Sequence, residues 1–533
     1  MAPPFTHRPM LELLMRHGVD PPQAPSRAIA NLRHWELNEV DVVLSKLQRP
    51  APDYCLFRSA EVAPSALPAD PAEHNALQRW WPSLWARRPH WVAPPRHMVE
   101  RSAKEGRALC VNAAGCWELR ADGYVALSHV WAEGLQRVEA HGGVEATKIA
   151  KVFELLRRAG LRSEWIWTDV LVIPGGGGRE DEVLTAKLIN SMPTVYGNAE
   201  AVLVIDAVVV QLHSTEPVDV AVGLCLGKWS TRVWTYQEIK LAKRAVVVTG
   251  SGGVEFADIA ARLEELQKAD RPKYRDMYLW MAIMGRSDKH RLTIRDLATA
   301  CVDRSSGVDI DYARAFFPVL GLEWEPGMTR EDGMEMIYRA YLRDALVISP
   351  FAGSPRMKQF PGWAPSYLQG LEGSGHGGLA SEERGIRGEW HVLKIIKLVS
   401  TTRPRYGKIG LNLEVQCDRT PTVQCVCGPK EDSDVVEAVQ AMIRKGRGWI
   451  LSATTWEQFS AEWARPVLLV EEADTRPEHG MEVTVHCSAT LGSSGSHPEN
   501  KRSLLIRHWN PNVDSDLINL DKYVVFCQDA QPC

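Results

Sequence analysis

The sequence lacks the long apolar segments that mark membrane and secreted proteins. Its longest apolar run, residues 199–212, is interrupted by Glu200 and Asp206 and is too short to cross a bilayer. Residues 1–20 contain no signal-peptide pattern, and the eleven cysteines are scattered and odd in number. We therefore expect a cytoplasmic protein with free thiols and no membrane span.

The sequence also lacks an excess of charge of one sign. Its formal net charge is −4 over 533 residues, and its basic residues are dispersed along the chain. A protein that binds nucleic acid usually concentrates lysine and arginine in a patch or stripe. We therefore expect no nucleic-acid partner.

Two common catalytic motifs are missing. Four glycines at 175–178 lie between a predicted strand and a predicted helix, but acidic residues follow at 180–182 in place of the Gly-Lys-Ser/Thr of a phosphate loop. We interpret this segment as a turn or a movable lid. Ser128 and His129 are adjacent on a predicted strand, so their side chains point to opposite faces and do not form a nucleophile–base pair.

The spacing of the cysteines differs from that of common zinc-binding motifs. Cys417, Cys425 and Cys427 form a C-x7-C-x-C group, which differs from the C-x2-C spacing typical of zinc sites. Cys425 and Cys427 also fit one face of an ordinary strand. We expect no metal, with a thiolate zinc site as the alternative.

Changes in composition divide the chain into four regions. Proline and arginine are frequent before residue 105, apolar strands alternate with helices after it, and short alternating strands dominate the last part. The predicted regions are an N-terminal extension (1–104), an α/β domain (105–252), a helical extension with a linker (253–370) and a β-rich domain (386–533).

Within the α/β domain, near-continuous apolar runs alternate with amphipathic segments. This alternation predicts a parallel sheet with helices on both faces, and ligand sites beyond the carboxyl ends of its strands. Ser128, Asp169 and Asp206 fall at those ends. The pattern predicts a hairpin at 108–120, buried strands at 123–131, 164–174, 199–210 and 244–250, and helices at 147–159, 181–196 (ending or kinking before Pro193) and 231–243.

Glu238 is placed unusually on the last of these helices. It shares a helical face with Trp234 and Leu241, because the three residues are spaced i, i+4 and i+7. A carboxylate among apolar side chains costs desolvation energy unless it is paired or has a function. The sequence around Glu238 is compatible with two interpretations: this residue is a buried glutamate paired with an arginine, or it is a functional carboxylate.

Three ordered blocks resemble the fungal heterokaryon incompatibility (HET) domain. They read YVALSHVW at 124–131, WIWTDVLVI at 165–173 running on to MPTVY at 192–196, and KWSTRVWTYQE at 228–238. The chain departs from the family pattern at Ala132, where the family has glycine, and at Val172, where it has cysteine.

The resemblance implies a flavodoxin-like fold related to TIR domains, some of which cleave NAD at the nicotinamide–ribose bond with a helical glutamate. It implies that Glu238 is the catalytic residue and that NAD is a substrate, with no cofactor required. The residues implied to contact the substrate are Ser128, Trp131, Asp169, Arg232, Trp234 and Gln237. For Trp131 and Trp234 the alternative is a place in the core, and for Asp169 it is a helix cap or a partner of Arg232.

The family resemblance also implies a role in self/non-self recognition or programmed cell death. Self-association through the HET-like domain and an unidentified protein partner for residues 386–533 would belong to such a role. Two alternatives remain: a death-signalling module that acts by assembly without catalysis, and a degenerate domain kept for its structure.

Overall fold

The computed structural model describes residues 7–19, 31–32, 34–47, 91–137, 142–176, 178–285, 292–301, 304–348, 357–358, 364–368, 380–382, 385–402, 409–416, 422–427, 432–452, 465–472, 481–491 and 501–509. The chain divides into two compact units, residues 1–289 with 315–327, and residues 290–314 with 328–533. Helices from the region 253–370 therefore occur in both units.

The described elements alternate between helix and strand in the first unit and are mainly strands towards the C-terminus. The helices are α1 (His7–Arg16), α2 (Leu37–Leu44), α3 (Arg96–Glu105), α4 (Ala146–Arg158), α5 (Asp169–Val172), α6 (Arg179–Asn198), α7 (Pro217–Leu226), α8 (Val233–Leu241), α9 (Phe256–Ala269), α10 (Arg271–Met284), α11 (Ile294–Cys301), α12 (Asp311–Arg314), α13 (Phe317–Leu320), α14 (Arg330–Ala340), α15 (Leu342–Ile348) and α16 (Asp432–Arg444). The strands of the two large sheets are β1 (Ala108–Asn112), β2 (Trp117–Arg120), β3 (Val125–His129), β4 (Trp165–Trp167), β5 (Ala201–Ile205), β6 (Ala245–Val248), β7 (Gly253–Glu255), β8 (Ala380–Glu382), β9 (Gly385–Thr402), β10 (Ile409–Val415), β11 (Thr422–Cys427), β12 (Gly448–Ser452), β13 (Arg465–Glu472), β14 (Met481–Leu491) and β15 (Lys501–Trp509).

The sheet of the first unit has seven strands in the order β2-β1-β4-β3-β5-β6-β7. The four central strands are parallel, as their uninterrupted apolar sequences predict. The hairpin β1–β2 joins one edge and β7 the other, both antiparallel to their neighbours. The α/β class is confirmed, while the expected parallel sheet is instead a mixed one.

Two strands end earlier than the apolar pattern predicts, and an aspartate follows the end of each. The strand expected at 164–174 stops at Trp167, and Asp169 accepts a hydrogen bond from the backbone N–H of Val170 at 2.7 Å. The strand expected at 199–210 stops at Ile205, and Asp206 accepts from the backbone N–H of Val208 and Val209. Such local side-chain bonds compete with strand pairing and start a helical turn in both places.

Helix α6 runs through Pro193, where an end or a kink was expected. Proline removes one backbone hydrogen bond from a helix interior. The buried side chains of α6 pack on α3 and α8, and this tertiary contact outweighs the lost bond. The expected end of the helix before Pro193 is therefore wrong, for a reason that lies outside the local sequence.

The described parts of the N-terminal region pack on the first unit. Lys46 Nζ lies 2.6 Å from Asp219 Oδ2 on α7, and Leu47 forms a β-bridge with Leu212. Trp80, Trp81 and Trp85 lie outside the described residues. Trp91 pairs with Glu145 in a separate two-residue strand pair.

The sheet of the second unit is built mainly from antiparallel pairs. Its strands follow the order β8-β9-β10-β11-β14-β13-β12, and β9 also pairs with β12, so the pairing returns to β9. Alternate residues of β10 are buried in an apolar cluster to which α16 also contributes. Cys425 and Cys427 are buried in the same cluster, as expected for one face of a strand.

Candidate active site at the carboxyl edge of the first sheet

Trp131 and Asp169 meet where β3 and β4 end. The indole Nε1 of Trp131 donates to the Asp169 carboxylate, with distances of 3.3 Å to Oδ1 and 3.2 Å to Oδ2. The two residues are 38 positions apart in the chain and come from different blocks of the sequence. Parallel strands bring their carboxyl ends to one edge, and this geometry produces the contact.

The Trp131 ring is exposed. It is 43% accessible, which makes it one of the few large apolar side chains that the described part of the chain presents to solvent. The interpretation of Trp131 as a core side chain is therefore wrong. Because its indole N–H is fixed by Asp169, the ring forms an oriented aromatic surface at the sheet edge.

Asp169 is surrounded by donors. Besides Trp131 and Val170, the Thr168 hydroxyl lies 3.4 Å from Oδ1, and His129 Nε2 lies 3.6 Å from the same oxygen. The N-cap residue of α5 is Thr168, and Asp169 follows it as the first residue of the helix, so Asp169 is not the helix cap.

His129 is buried behind Asp169. Its Nε2 lies 3.1 Å from the Thr168 hydroxyl. Burial lowers the pKa of His129, and the nearby charge of Asp169 opposes that effect only in part. The imidazole is therefore neutral at neutral pH and supports Asp169 as a dipole.

Glu238 lies on α8 and is only 4% exposed. The side chain of Tyr196, on α6, is close enough to the Glu238 carboxylate for the two to interact electrostatically. Burial raises the pKa of Tyr196 well above its ordinary value, and the charges of Glu238 and Asp169 raise it further. The tyrosine therefore stays protonated, and its hydroxyl lies within electrostatic range of both carboxylates.

Gln237 is fully buried next to Glu238. Its Nε2 lies 3.2 Å from the sulfur of Met192, which precedes Tyr196 by one helical turn on α6. Its Oε1 has no hydrogen-bond partner within the described residues. The α6 face that carries Met192 and Tyr196 thus meets the α8 face that carries Gln237 and Glu238.

Ser128 is buried in the interior of the first unit. Its hydroxyl accepts a hydrogen bond from the indole Nε1 of Trp229 at 2.8 Å, and its side chain is fully buried. Asp206 accepts from the backbone N–H of Trp229 at 3.0 Å. Ser128 and Asp206 therefore hold Trp229, whose turn leads into α8.

Arg232 and Trp234 lie at the start of α8 and are partly exposed. Trp234 and Leu241 are less buried than Glu238, so the face they share with it is not the main buried face of this helix. The buried side chains of α8 are those of Val233, Thr235, Tyr236, Gln237, Glu238 and Ile239.

The glycine segment is held against the first turn of α6. A Cβ added at Gly176 would lie 1.9 Å from Asp181 Oδ2, so a larger residue there would require the Asp181 carboxylate to move. Asp181 forms an ion pair with Arg96 of α3. In this conformation the segment therefore packs on α6.

Sequence reasoning did not select Tyr196, His129, Thr168 or Met192 as site residues. Tyr196 lies within the second block, and its spacing from Met192 places both on one face of a predicted helix. Which helix that face meets depends on packing, and the sequence carries no local signal for it.

The described part of the chain lacks two kinds of feature. No helix there is long and apolar enough to cross a membrane. No group of three or more His, Cys, Asp or Glu side chains there is arranged to hold a metal ion. Cys417, part of the alternative zinc group, lies outside the described residues.

Comparison of the chain with protein families, with curated proteins and with solved structures finds no match.

Proposed function

We propose that the first unit is a HET-type domain with a TIR-like fold that hydrolyses NAD at the nicotinamide–ribose bond, with Glu238 as the catalytic residue. The observation that carries the proposal is the buried carboxylate of Glu238 on α8, a helix that lies between β5 and β6 in the chain, together with the exposed Trp131 ring whose indole N–H donates to Asp169 at the carboxyl edge of the sheet.

The chemistry requires little from the protein beyond charge and position. The bond between the nicotinamide nitrogen and ribose C1′ breaks, and its electron pair leaves with nicotinamide, which is thereby neutralised. The ribose passes through an oxocarbenium-like state, which a carboxylate in a desolvated place stabilises strongly. Water then adds hydroxide to C1′ and releases a proton, giving ADP-ribose.

The site residues divide these tasks. Glu238 faces the developing cation, and Trp131 stacks on a base of the substrate. Arg232 and Trp234 flank the site at the start of α8. Ser128 and Gln237, both fully buried, support it from the interior, and no cofactor is needed.

The burial of Glu238 favours a second candidate function. At 4% exposure the carboxylate reaches substrate only if neighbouring segments move. A death-signalling module that acts by assembly would use the same buried residues solely to fix helix packing, as would a degenerate domain.

In the proposed biological setting the protein acts in the cytoplasm in self/non-self recognition or programmed cell death. The HET-type domain self-associates, and the β-rich region binds an unidentified protein partner. Assembly would then be the event that gives substrate access to Glu238.

The test is NAD turnover by the full chain over a range of protein concentrations, with cellular NAD followed in parallel. Glu238→Gln is expected to lower turnover by about a hundredfold or more, because it removes the negative charge from the site. Glu133→Gln is the matched control. Glu133 is equally buried at the same sheet edge but accepts from the backbone N–H of Ala207, outside the site.

Turnover that survives Glu238→Gln would remove this residue from the mechanism. Cell toxicity that persists in the variant while NAD stays constant would favour the assembly module.

A further inference from the structure

Arg137 is anchored on the same short helix as the exposed ring of Trp131. Its guanidinium donates a hydrogen bond to the backbone oxygen of Leu171 on α5. The indole N–H of Trp131 donates to Asp169, the first residue of α5. Because Asp169 and Leu171 are two positions apart, the ring and the guanidinium lie at the same corner of the carboxyl edge.

The positive charge of Arg137 has no direct counter-ion within the described residues. The side chain is partly buried, its Nε has no hydrogen-bond partner there, and no described carboxylate forms an ion pair with it. Asp181 acts on Arg137 only through its charge, and that carboxylate is paired with Arg96. Burial lowers the pKa of Arg137, and the charge of Asp181 opposes this effect. A partly buried cation without a paired anion costs desolvation free energy, so binding of an anionic group is favourable at this place.

The substrate of the proposed reaction carries an anion of suitable shape. NAD consists of two nucleosides joined through a diphosphate, so a base stacked on Trp131 places the diphosphate one ribose away from the ring. A planar guanidinium matches phosphate oxygens with two parallel N–H donors. Glu180 and Glu182, in the first turn of α6, are exposed, so water and salt screen their repulsion of an anion.

We propose that Arg137 binds the diphosphate of NAD while the Trp131 ring stacks on the adjoining base. This site deepens the proposed function and rests on it. In the alternative role, Arg137 only ties the chain that follows Trp131 to α5 through the Leu171 oxygen.

Arg244 provides a matched control for the removal of one positive charge. It directly precedes β6, at the amino edge of the same sheet, and its Nε donates to Glu255 Oε1 at 2.9 Å. Arg244→Gln therefore changes the net charge of the chain as Arg137→Gln does, but at the opposite edge of the sheet.

The experiment measures the binding of ADP-ribose and of adenosine by calorimetry. It uses the full chain as wild type, Arg137→Gln, Arg137→Lys and Arg244→Gln, below the lowest of their thermal unfolding midpoints. ADP-ribose carries the diphosphate and is a product of the proposed reaction, so it is not consumed, whereas adenosine carries no phosphate.

Arg137→Gln is expected to weaken ADP-ribose binding by about ten- to a hundredfold, the effect of losing charge-assisted hydrogen bonds. Arg137→Lys, which keeps the charge but loses the planar fork, is expected to weaken it less. Adenosine binding by every variant, and ADP-ribose binding by Arg244→Gln, should stay within about twofold of wild type, because charges beyond a Debye length are screened. In turnover assays Arg137→Gln should raise KM for NAD and leave kcat unchanged, the signature of lost uniform binding.

The outcomes separate this site from the proposed function. Equal ADP-ribose affinity in wild type and Arg137→Gln, equal losses of ADP-ribose and adenosine affinity, or wild-type protein that binds no ADP-ribose would each overturn the diphosphate site. NAD turnover that depends on Glu238 would leave the proposed function standing in these cases. ADP-ribose binding that depends on Arg137, in a protein without NAD turnover, supports the site and overturns the proposed hydrolysis.

Discussion

At the scale of single residues, the buried acidic side chains at the carboxyl edge of the sheet differ in their hydrogen-bond donors, and we infer different roles for them from this difference. Asp206 is completely buried; burial raises its pKa, while the backbone N–H groups of Trp229, Val209 and Val208 oppose the rise. Burial also raises the pKa of Glu133 well above its ordinary value, and the negative charge of Asp206 adds to the effect. These two acids are structural in our interpretation, in contrast to Glu238.

The raised pKa of Glu133 predicts a pH-dependent stability. The folded protein holds this proton at pH values where the unfolded chain, with its pKa of about 4.3, has lost it. The unfolded state then binds fewer protons, so the free energy of unfolding falls as pH rises above that value. Glu133→Gln removes the titration and keeps an oxygen for the Ala207 N–H.

Urea unfolding of wild type and Glu133→Gln at about pH 5 and about pH 8 measures this difference. The wild-type protein should lose stability relative to the variant at the higher pH, by about 1.4 kcal/mol for each unit of raised pKa. A constant difference between the two pH values would show that Glu133 ionises normally in the folded protein.

At the scale of elements, the connection between α7 and α8 depends on one glycine. A Cβ at Gly227 would lie 2.1 Å from Asp206 Oδ2, the oxygen that accepts from the Trp229 backbone. Gly227→Ala must therefore displace Asp206 or Trp229, and Trp229 is also bonded to Ser128. We expect a loss of about 1–3 kcal/mol in the free energy of unfolding.

Chemical denaturation of Gly227→Ala tests this expectation, with Gly175→Ala as the control. No atom lies within 4 Å of a Cβ built at Gly175, so that variant should unfold within about 0.5 kcal/mol of wild type. Equal stability of the two variants would mean that the Asp206 carboxylate adjusts without cost.

Elements were predicted well where local pattern decides them. The hairpin of β1 and β2, the strand β3 and the helix α4 lie within a few residues of their predicted positions. The ends of β4 and β5 were missed, because Asp169 and Asp206 bond to backbone N–H groups that follow them. The continuation of α6 through Pro193 was missed because packing, which no local pattern records, sustains it.

At the scale of the whole molecule, the first unit is completed by a segment that returns from further along the chain. Residues 315–327 belong to it, and Phe316 packs against Tyr236 of α8 with ring centroids 6.3 Å apart. The Asn190 side chain exchanges two hydrogen bonds with the Trp324 backbone, at 3.0 and 2.8 Å. These contacts reach the two helices that carry Tyr196 and Glu238.

A fragment of residues 1–289 should therefore be less stable than one of residues 1–327. We expect its thermal unfolding midpoint to be lower by about 5 °C or more, since a change of about 1 kcal/mol moves the midpoint by about 2–4 °C at this size. The Asn190→Ala substitution in both fragments is the control: it should lower the midpoint of the longer fragment more than that of the shorter one. Equal midpoints of the two unsubstituted fragments would place residues 315–327 outside the folding unit.

The sequence by itself determined the α/β class, the type of most elements and the segments in which Trp131, Asp169 and Glu238 lie. Those properties follow from hydrophobic periodicity, which is local. Only the tertiary structure decided that the sheet is mixed, that Trp131 is exposed on Asp169, and that Tyr196 lies near Glu238. The physical reason is that these contacts join segments tens of residues apart, whose meeting depends on strand order and helix packing rather than on any one stretch of chain.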